Sequence, residues 1–119
     1  MATIDSAILA LDAESNNQVE VIVACQITIP PSEAQSQFRL DCTVFGSDLL
    51  RDDFIFSYES QLFFGFNAPT NLRLEKTVSR GALNEDLVGS DEVVGKVTLR
   101  NLTLNKVVKR NTSVVEVVL

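Results

Sequence analysis

Two acidic segments hold the residue types best suited to bind a metal ion. One runs from Gly46 to Asp53 and the other from Gly81 to Asp91, and each follows a stretch rich in alternating apolar residues. Calcium takes six to eight oxygen ligands, and loops at one end of a β-sandwich can pool carboxylates from several connections. The sequence therefore offers either a candidate calcium site or an ordinary solvated acidic surface. The candidate ligands are Asp48, Asp52, Asp53, Glu85, Asp86 and Asp91.

Cys25 and Cys42 are the two cysteines of the chain, which contains no histidine. Both fall among alternating apolar residues, which favours buried thiols that act as small hydrophobic side chains. A disulfide stays open as an alternative, because the strands that carry the two residues could pair. Two cysteines without histidine cannot complete a zinc site unless carboxylates join them, and no histidine is present to form a thiolate.

The missing histidine also removes the commonest general base and the usual nucleophilic triads. The sequence contains no nucleophile elbow, no phosphate-binding loop and no dinucleotide fingerprint. Glycosidase chemistry can use carboxylates alone, but a chain of 119 residues without tryptophan offers little for a sugar-binding cleft. We therefore expect no enzymatic activity, no catalytic residues and no cofactor apart from the calcium considered above.

The charge of the chain is unevenly distributed. A net charge of −6 disfavours nucleic acid and anionic membranes as partners. Five of the ten basic residues nevertheless follow residue 95, together with only one of the sixteen acids, Glu116. These bases could protect an edge strand from aggregation, or could attract an acidic face of a second subunit in a head-to-tail assembly. The interface candidates among them are Lys106, Lys109 and Arg110.

The segment from Phe54 to Phe66 concentrates the aromatic residues. A period of two predicts that the even positions face the core, and these positions are Phe54, Phe56, Tyr58, Leu62, Phe64 and Phe66. Ile55 and Phe63 fall on the opposite face. They indicate either a strand buried on both faces or an exposed contact patch that would anchor an interface. We expect a bend near Glu59 to divide this long segment.

Alternating apolar residues predict the strands that position these side chains. The clearest are Val19–Ile29 and Phe38–Gly46, which flank Pro30–Pro31. If the two paired as a hairpin, Cys25 would lie opposite Cys42 and Ile27 opposite Leu40. The whole pattern predicts a single all-β domain over residues 1–119, a two-sheet antiparallel β-sandwich of seven to nine strands.

Further signals mark the ends of the chain. Ala2–Leu11 is a first predicted strand, and Asn16–Asn17 suits a turn because asparagine tolerates positive φ. The apolar phase changes at Asn101, which predicts a bulge or a tight turn. The β-prone tail Val114–Leu119 is expected to pair inside the sandwich or across a subunit boundary, which makes Val115 and Val117 interface candidates.

Leu72–Leu119 is similar to the last three strands of an immunoglobulin-like sandwich. A strand, a corner carrying Asn84–Asp86 and Asp91, and two valine-rich strands carry this resemblance. The corner tyrosine and the core tryptophan of that fold are absent, as is its cysteine spacing. The resemblance implies an architecture and carries no function.

These observations together predict a non-catalytic interaction or assembly module that associates with itself as a homo-oligomer. The alternative is a module that binds calcium or a small ligand through the acidic loops. The first residues lack the basic and apolar regions of a secretory signal, so a cytoplasmic location is expected.

Overall fold

The structure, a computed structural model, describes residues 1–14, 16–47, 52–81, 83 and 92–116, without the side chains of residues 47 and 52. Nine strands lie within these ranges. They are β1 (Thr3–Glu14), β2 (Gln18–Thr28), β3 (Gln37–Ser47), β4 (Asp52–Ser57), β5 (Gln61–Phe64), β6 (Asn71–Ser79), β7 (Glu92–Asn101), β8 (Lys106–Asn111) and β9 (Val115–Glu116). Two 3₁₀ turns occupy Pro31–Glu33 and Gly65–Asn67.

The strands form two antiparallel sheets. The three-stranded sheet has the order β1-β2-β6, and the six-stranded sheet has the order β4-β3-β7-β8, with β5 beside β3 and β9 beside β7. Their apolar faces meet in one core cluster. This arrangement confirms the predicted all-β sandwich of seven to nine strands.

The hairpin considered above for the two cysteine-bearing strands does not form. Cys25 on β2 lies opposite Ala7 and Leu72, whereas Cys42 on β3 lies opposite Val97 in the other sheet. Period two identifies which face of a strand is buried, but it does not select the neighbouring strand. The Pro31–Glu33 turn carries the chain from one sheet to the other, and both cysteines are free thiols in the core.

Tyr58 ties the two sheets together. Its hydroxyl donates a hydrogen bond of 2.6 Å to the backbone oxygen of Val21 on β2. Its own backbone nitrogen donates to the carbonyl oxygen of Cys42 on β3. Because both the hydroxyl and the ring are buried, this residue fixes the separation of the layers as well as filling the space between them.

The predicted turns are present. Asn16 and Asn17 adopt φ values of 66° and 57° between β1 and β2, as the asparagine pair indicated. A turn at Leu102–Asn105, with φ of 54° at Asn105, accounts for the change of phase after Asn101. In the tail, Val115 pairs with Val93 inside the sandwich, which is one of the two predicted alternatives. Val117 lies outside the described residues.

Candidate interaction surface

A bulge in β4 overturns the burial predicted for the start of the aromatic segment. Phe45 lies opposite Phe54, but the preceding Val44 lies opposite Phe56, so Ile55 is an extra residue on β4. An extra residue exchanges the two faces of a strand on either side of it. Phe54 therefore points to solvent, and Ile55 and Phe56 are buried.

A second change of phase follows between Tyr58 and Gln61. The chain bends there, as predicted, and β5 then pairs with β3 so that Phe63 lies opposite Phe38. The two rings stack inside the sandwich with centroids 5.8 Å apart. Of the two alternatives predicted for Ile55 and Phe63, the exposed contact patch is therefore not present, because both side chains pack toward the core.

A different set of large apolar side chains forms an exposed patch near β5. Leu62, Phe64 and Phe66, which we call the aromatic end, have exposed fractions of 62%, 43% and 64%. The rings of Phe64 and Phe66 stack with centroids 5.5 Å apart and planes 15° apart. Large apolar side chains grouped in this way on a surface are typical of a binding site. A change of phase at the predicted bend after Tyr58 would have placed Leu62 and Phe64 on the outer face.

Local backbone contacts hold the aromatic end in place. The Asn67 side chain accepts a hydrogen bond of 3.1 Å from the Phe64 backbone nitrogen across the Gly65–Asn67 turn. Gly65 donates its backbone N–H to the Ser36 oxygen, and a Cβ atom at Gly65 would collide with the Glu33 carbonyl oxygen. The turn therefore packs closely on the Pro31–Glu33 turn, which orders the patch before any partner binds.

A row of basic side chains crosses the same outer face of the six-stranded sheet. The register places Arg39 opposite Arg100 and Thr43 opposite Lys96, all directed outward. Lys109 lies opposite Thr98 on the neighbouring strand. We call these four cations the basic stripe; its members are Arg39, Lys96, Arg100 and Lys109. One acid, Asp41, lies among them and pairs with Arg39 at 2.8 Å.

Beyond the basic stripe the face ends in a second aromatic pair. Phe45 and Phe54 meet edge to face with centroids 6.2 Å apart. The Lys96 ammonium group lies 4.6 Å from the centre of the Phe45 ring, a cation–π contact. The outer face thus carries aromatic groups at both ends and positive charge between them.

The outer face of the three-stranded sheet has the opposite charge. Asp12 lies opposite Glu20, and the neighbouring rows carry Glu14 and Glu75. The pKa of Glu20 is raised because its protonated form can donate a hydrogen bond to the Glu14 carboxylate, and because burial and the nearby Glu75 carboxylate disfavour its charge. Arg73 is the one base among these side chains and pairs with Glu75. We call this cluster of four carboxylates the acidic face.

The predicted basic interface residues separate onto two sides of β8. Lys109 belongs to the basic stripe. Arg110 turns the other way and donates a hydrogen bond of 3.1 Å to the Ile4 carbonyl oxygen, and Lys106 borders the buried Glu33. Because side chains alternate along a strand, bases adjacent in sequence cannot all face one partner.

The acidic loops are only partly within the described part of the chain. Asp48, Glu85, Asp86 and Asp91 lie outside it, and of Asp52 only the backbone is described. The strand residues that flank the two loops do lie side by side. Ser47 lies opposite Asp52 on β4 and opposite Glu92 on β7. The described side chains include no group of three or more potential metal ligands.

The two buried thiols are poor nucleophiles. Burial raises the pKa of Cys25, and burial together with the nearby Cys25 raises the pKa of Cys42 to about 12. Both groups therefore stay protonated near neutral pH, which is the state of a hydrophobic core thiol.

The comparisons with known proteins identify a fold alone. Two crystal structures of Parabacteroides merdae β-glucuronidase match with TM-scores of 0.54 and 0.55 and identities of 11% and 10%, the second with glycerol in its active site. Each match covers 92% of this chain, which spans 13% of the length of the glucuronidase. A protein from Archaeoglobus fulgidus matches at 12% identity over 98% of this chain and 99% of its own, with a TM-score of 0.47.

The sequence matches no protein-family model and no curated protein. The two glucuronidase matches agree with a fold-level resemblance of this all-β antiparallel chain, without a specific family. Within the described ranges, no helix has the length and apolar character needed to cross a bilayer.

Proposed function

We propose that this chain is a non-catalytic interaction module that associates with itself. The observation that carries the proposal is the aromatic end, three large apolar side chains held outward on β5 and the turn that follows it, beside four cations. Aromatic residues and arginine supply most of the binding energy in protein interfaces. The partner is therefore a protein surface, and neither nucleic acid nor a membrane fits a chain with net charge −6.

The chemistry of the described core supports a binding role over catalysis. Burial raises the pKa of Tyr58 and of both thiols, so these groups do not ionise near neutral pH. The chain has no histidine to act as a base. The free thiols of Cys25 and Cys42 are consistent with action in a reducing compartment.

Sedimentation equilibrium over about 1 µM to about 1 mM tests self-association, because weak to moderate complexes dissociate in this range. We expect the mean mass to rise with concentration for the wild type. The double substitution Leu62→Ser/Phe64→Ser should abolish the rise, and the comparably exposed Val114→Ser should preserve it. A wild type that stays at the monomer mass throughout would refute the proposal.

A second candidate is a calcium-binding module. The pairing of Ser47 with both Asp52 and Glu92 favours it, because this pairing brings the flanks of the two acidic loops to one rim. A ligand that binds only the folded state raises the melting temperature. An unchanged melting temperature in millimolar calcium would exclude this function, and magnesium at the same concentration is the control.

A further inference from the structure

The two outer faces of the sandwich complement one another in charge. The basic stripe places four cations around one carboxylate, Asp41, on the six-stranded sheet, while Glu92 and Glu116 lie beyond Phe45 at the end of that face. The acidic face places four carboxylates around one guanidinium, Arg73, on the three-stranded sheet. Because the faces lie on opposite sides of the sandwich, they cannot neutralise each other within one molecule. They can do so between two molecules.

We propose that the six-stranded sheet of one copy docks on the acidic face of a second copy, head to tail. This inference rests on the self-association proposed above and names the surface that receives the aromatic end. The basic stripe lies against Asp12, Glu14, Glu20 and Glu75 of the next copy, and relieves the crowding of like charges around Glu20.

The receiving surface also offers a place for the exposed phenylalanines. Beside the acidic face, a depression of about 430 Å³ is lined by Ser6, Ile8, Ala24 and Arg73. Ile8 is 57% exposed and Ala24 is small, so the floor is apolar and open. Phe64 and Phe66 of the docking copy occupy this depression, where the Arg73 guanidinium can stack on an aromatic ring.

The sheet edges favour this face-to-face contact over strand addition. β6, at one end of the three-stranded sheet, exposes Arg73, Glu75 and Lys76, and charged side chains of this kind discourage edge pairing. The tail residues Val115 and Glu116 already pair with β7 of the same molecule. A contact between two different faces is heterologous, so assembly continues into a ring or an open chain.

Two opposite charge reversals test the proposal. Lys109→Glu damages the docking face and Glu20→Lys damages the receiving face, so each alone should weaken association at least about tenfold at low salt. Lys76→Glu makes the same charge change as Lys109→Glu, on the side of β6 that faces away from the acidic face, and should leave association unchanged. Lys109→Gln and Glu20→Gln should show smaller losses in the same direction. Thermal melting checks that every variant remains folded.

Mixing the two damaged variants gives the decisive result. At a concentration where each alone is monomeric, each still carries one intact face, so the equimolar mixture should associate through these two faces and reach at least the mass of a heterodimer. If the wild type associates but Glu20→Lys has no effect, or if the mixture stays monomeric, head-to-tail docking is wrong while self-association stands. A wild type that is monomeric throughout would overturn both.

Discussion

β2 and the β4–β5 segment carry the same alternating pattern but use it differently. In β2 the alternate residues from Val19 to Ile27 are all buried, and those between them face outward. In the β4–β5 segment the same period places Phe56 and Tyr58 inside but Phe54, Leu62 and Phe64 outside. An alternating pattern therefore identifies the buried face only while the register is unbroken, and breaks in register bring aromatic side chains to the surface.

The largest effect should come from breaking the regular strand. Val23→Asp places an unpaired carboxylate in the fully buried face of β2, at an expected cost above about 4 kcal/mol. Ala24→Ser, one residue along on the outer face, should cost less than about 1 kcal/mol. Urea denaturation of both variants measures the contrast, and equal losses would mean that β2 is buried on both sides.

Adjacent phenylalanines sharpen the comparison within β5. Phe63→Ala removes a ring stacked on Phe38 and should cost about 3 kcal/mol of unfolding free energy. Phe64→Ala removes an exposed ring and should cost less than about 1 kcal/mol, while weakening self-association. A larger loss of stability for Phe64→Ala than for Phe63→Ala would reverse the assignment of the two faces.

Loss of the hydrogen bond that joins the β4–β5 segment to β2 should have a smaller effect on stability. Tyr58→Phe removes the hydrogen bond to the Val21 carbonyl and leaves that buried oxygen without this donor, at about 1–2 kcal/mol. Chemical denaturation measures the loss. Thr43→Val, which deletes an outward-facing hydroxyl on β3, is the control. A loss of stability for Thr43→Val as large as that for Tyr58→Phe would argue that the hydrogen bond from Tyr58 to Val21 does not stabilise the contact between the sheets.

The smallest effect concerns Glu33, beneath the aromatic end. Burial acts to raise its pKa, but the Asn101 amide at 2.7 Å, the Met1 amine and Lys106 hold that pKa below its usual value. A carboxyl group whose pKa is lower in the folded state than in the unfolded state stabilises the fold at any pH above its unfolded-state pKa. This stabilisation is lost as the pH falls from the unfolded-state pKa through the folded-state pKa. Glu33→Gln should therefore be less stable at pH 7 by about 1 kcal/mol. Its stability should also depend less steeply on pH below about pH 5. A steeper dependence would contradict this reading.

Much of the fold could be predicted from single strands. Period two placed Val23 and Leu40 in the core, and the Asn16–Asn17 pair marked its turn. The partners of β2 and β3 could not be predicted, because alternation is satisfied equally by a hairpin and by two facing sheets. The exposed aromatic end was missed because the bend after Tyr58, although expected, also shifts the phase of the alternation, and the exposure of Phe54 was missed because no glycine or proline marks the bulged residue Ile55.

The charge pattern was predicted in part. The excess of bases after residue 95 is visible in the sequence, and Lys109 does face outward. The partners of Lys109 on the same face, Arg39 and Arg100, lie on strands that only the sheet order brings together.

Sedimentation equilibrium of the wild type at low and high salt tests the central claim most directly. We predict a mass that rises with concentration at low salt and falls back toward the monomer in about 1 M NaCl, where charges are screened within about 3 Å. A mass that remains that of the monomer at every concentration, in both salts, would contradict the account.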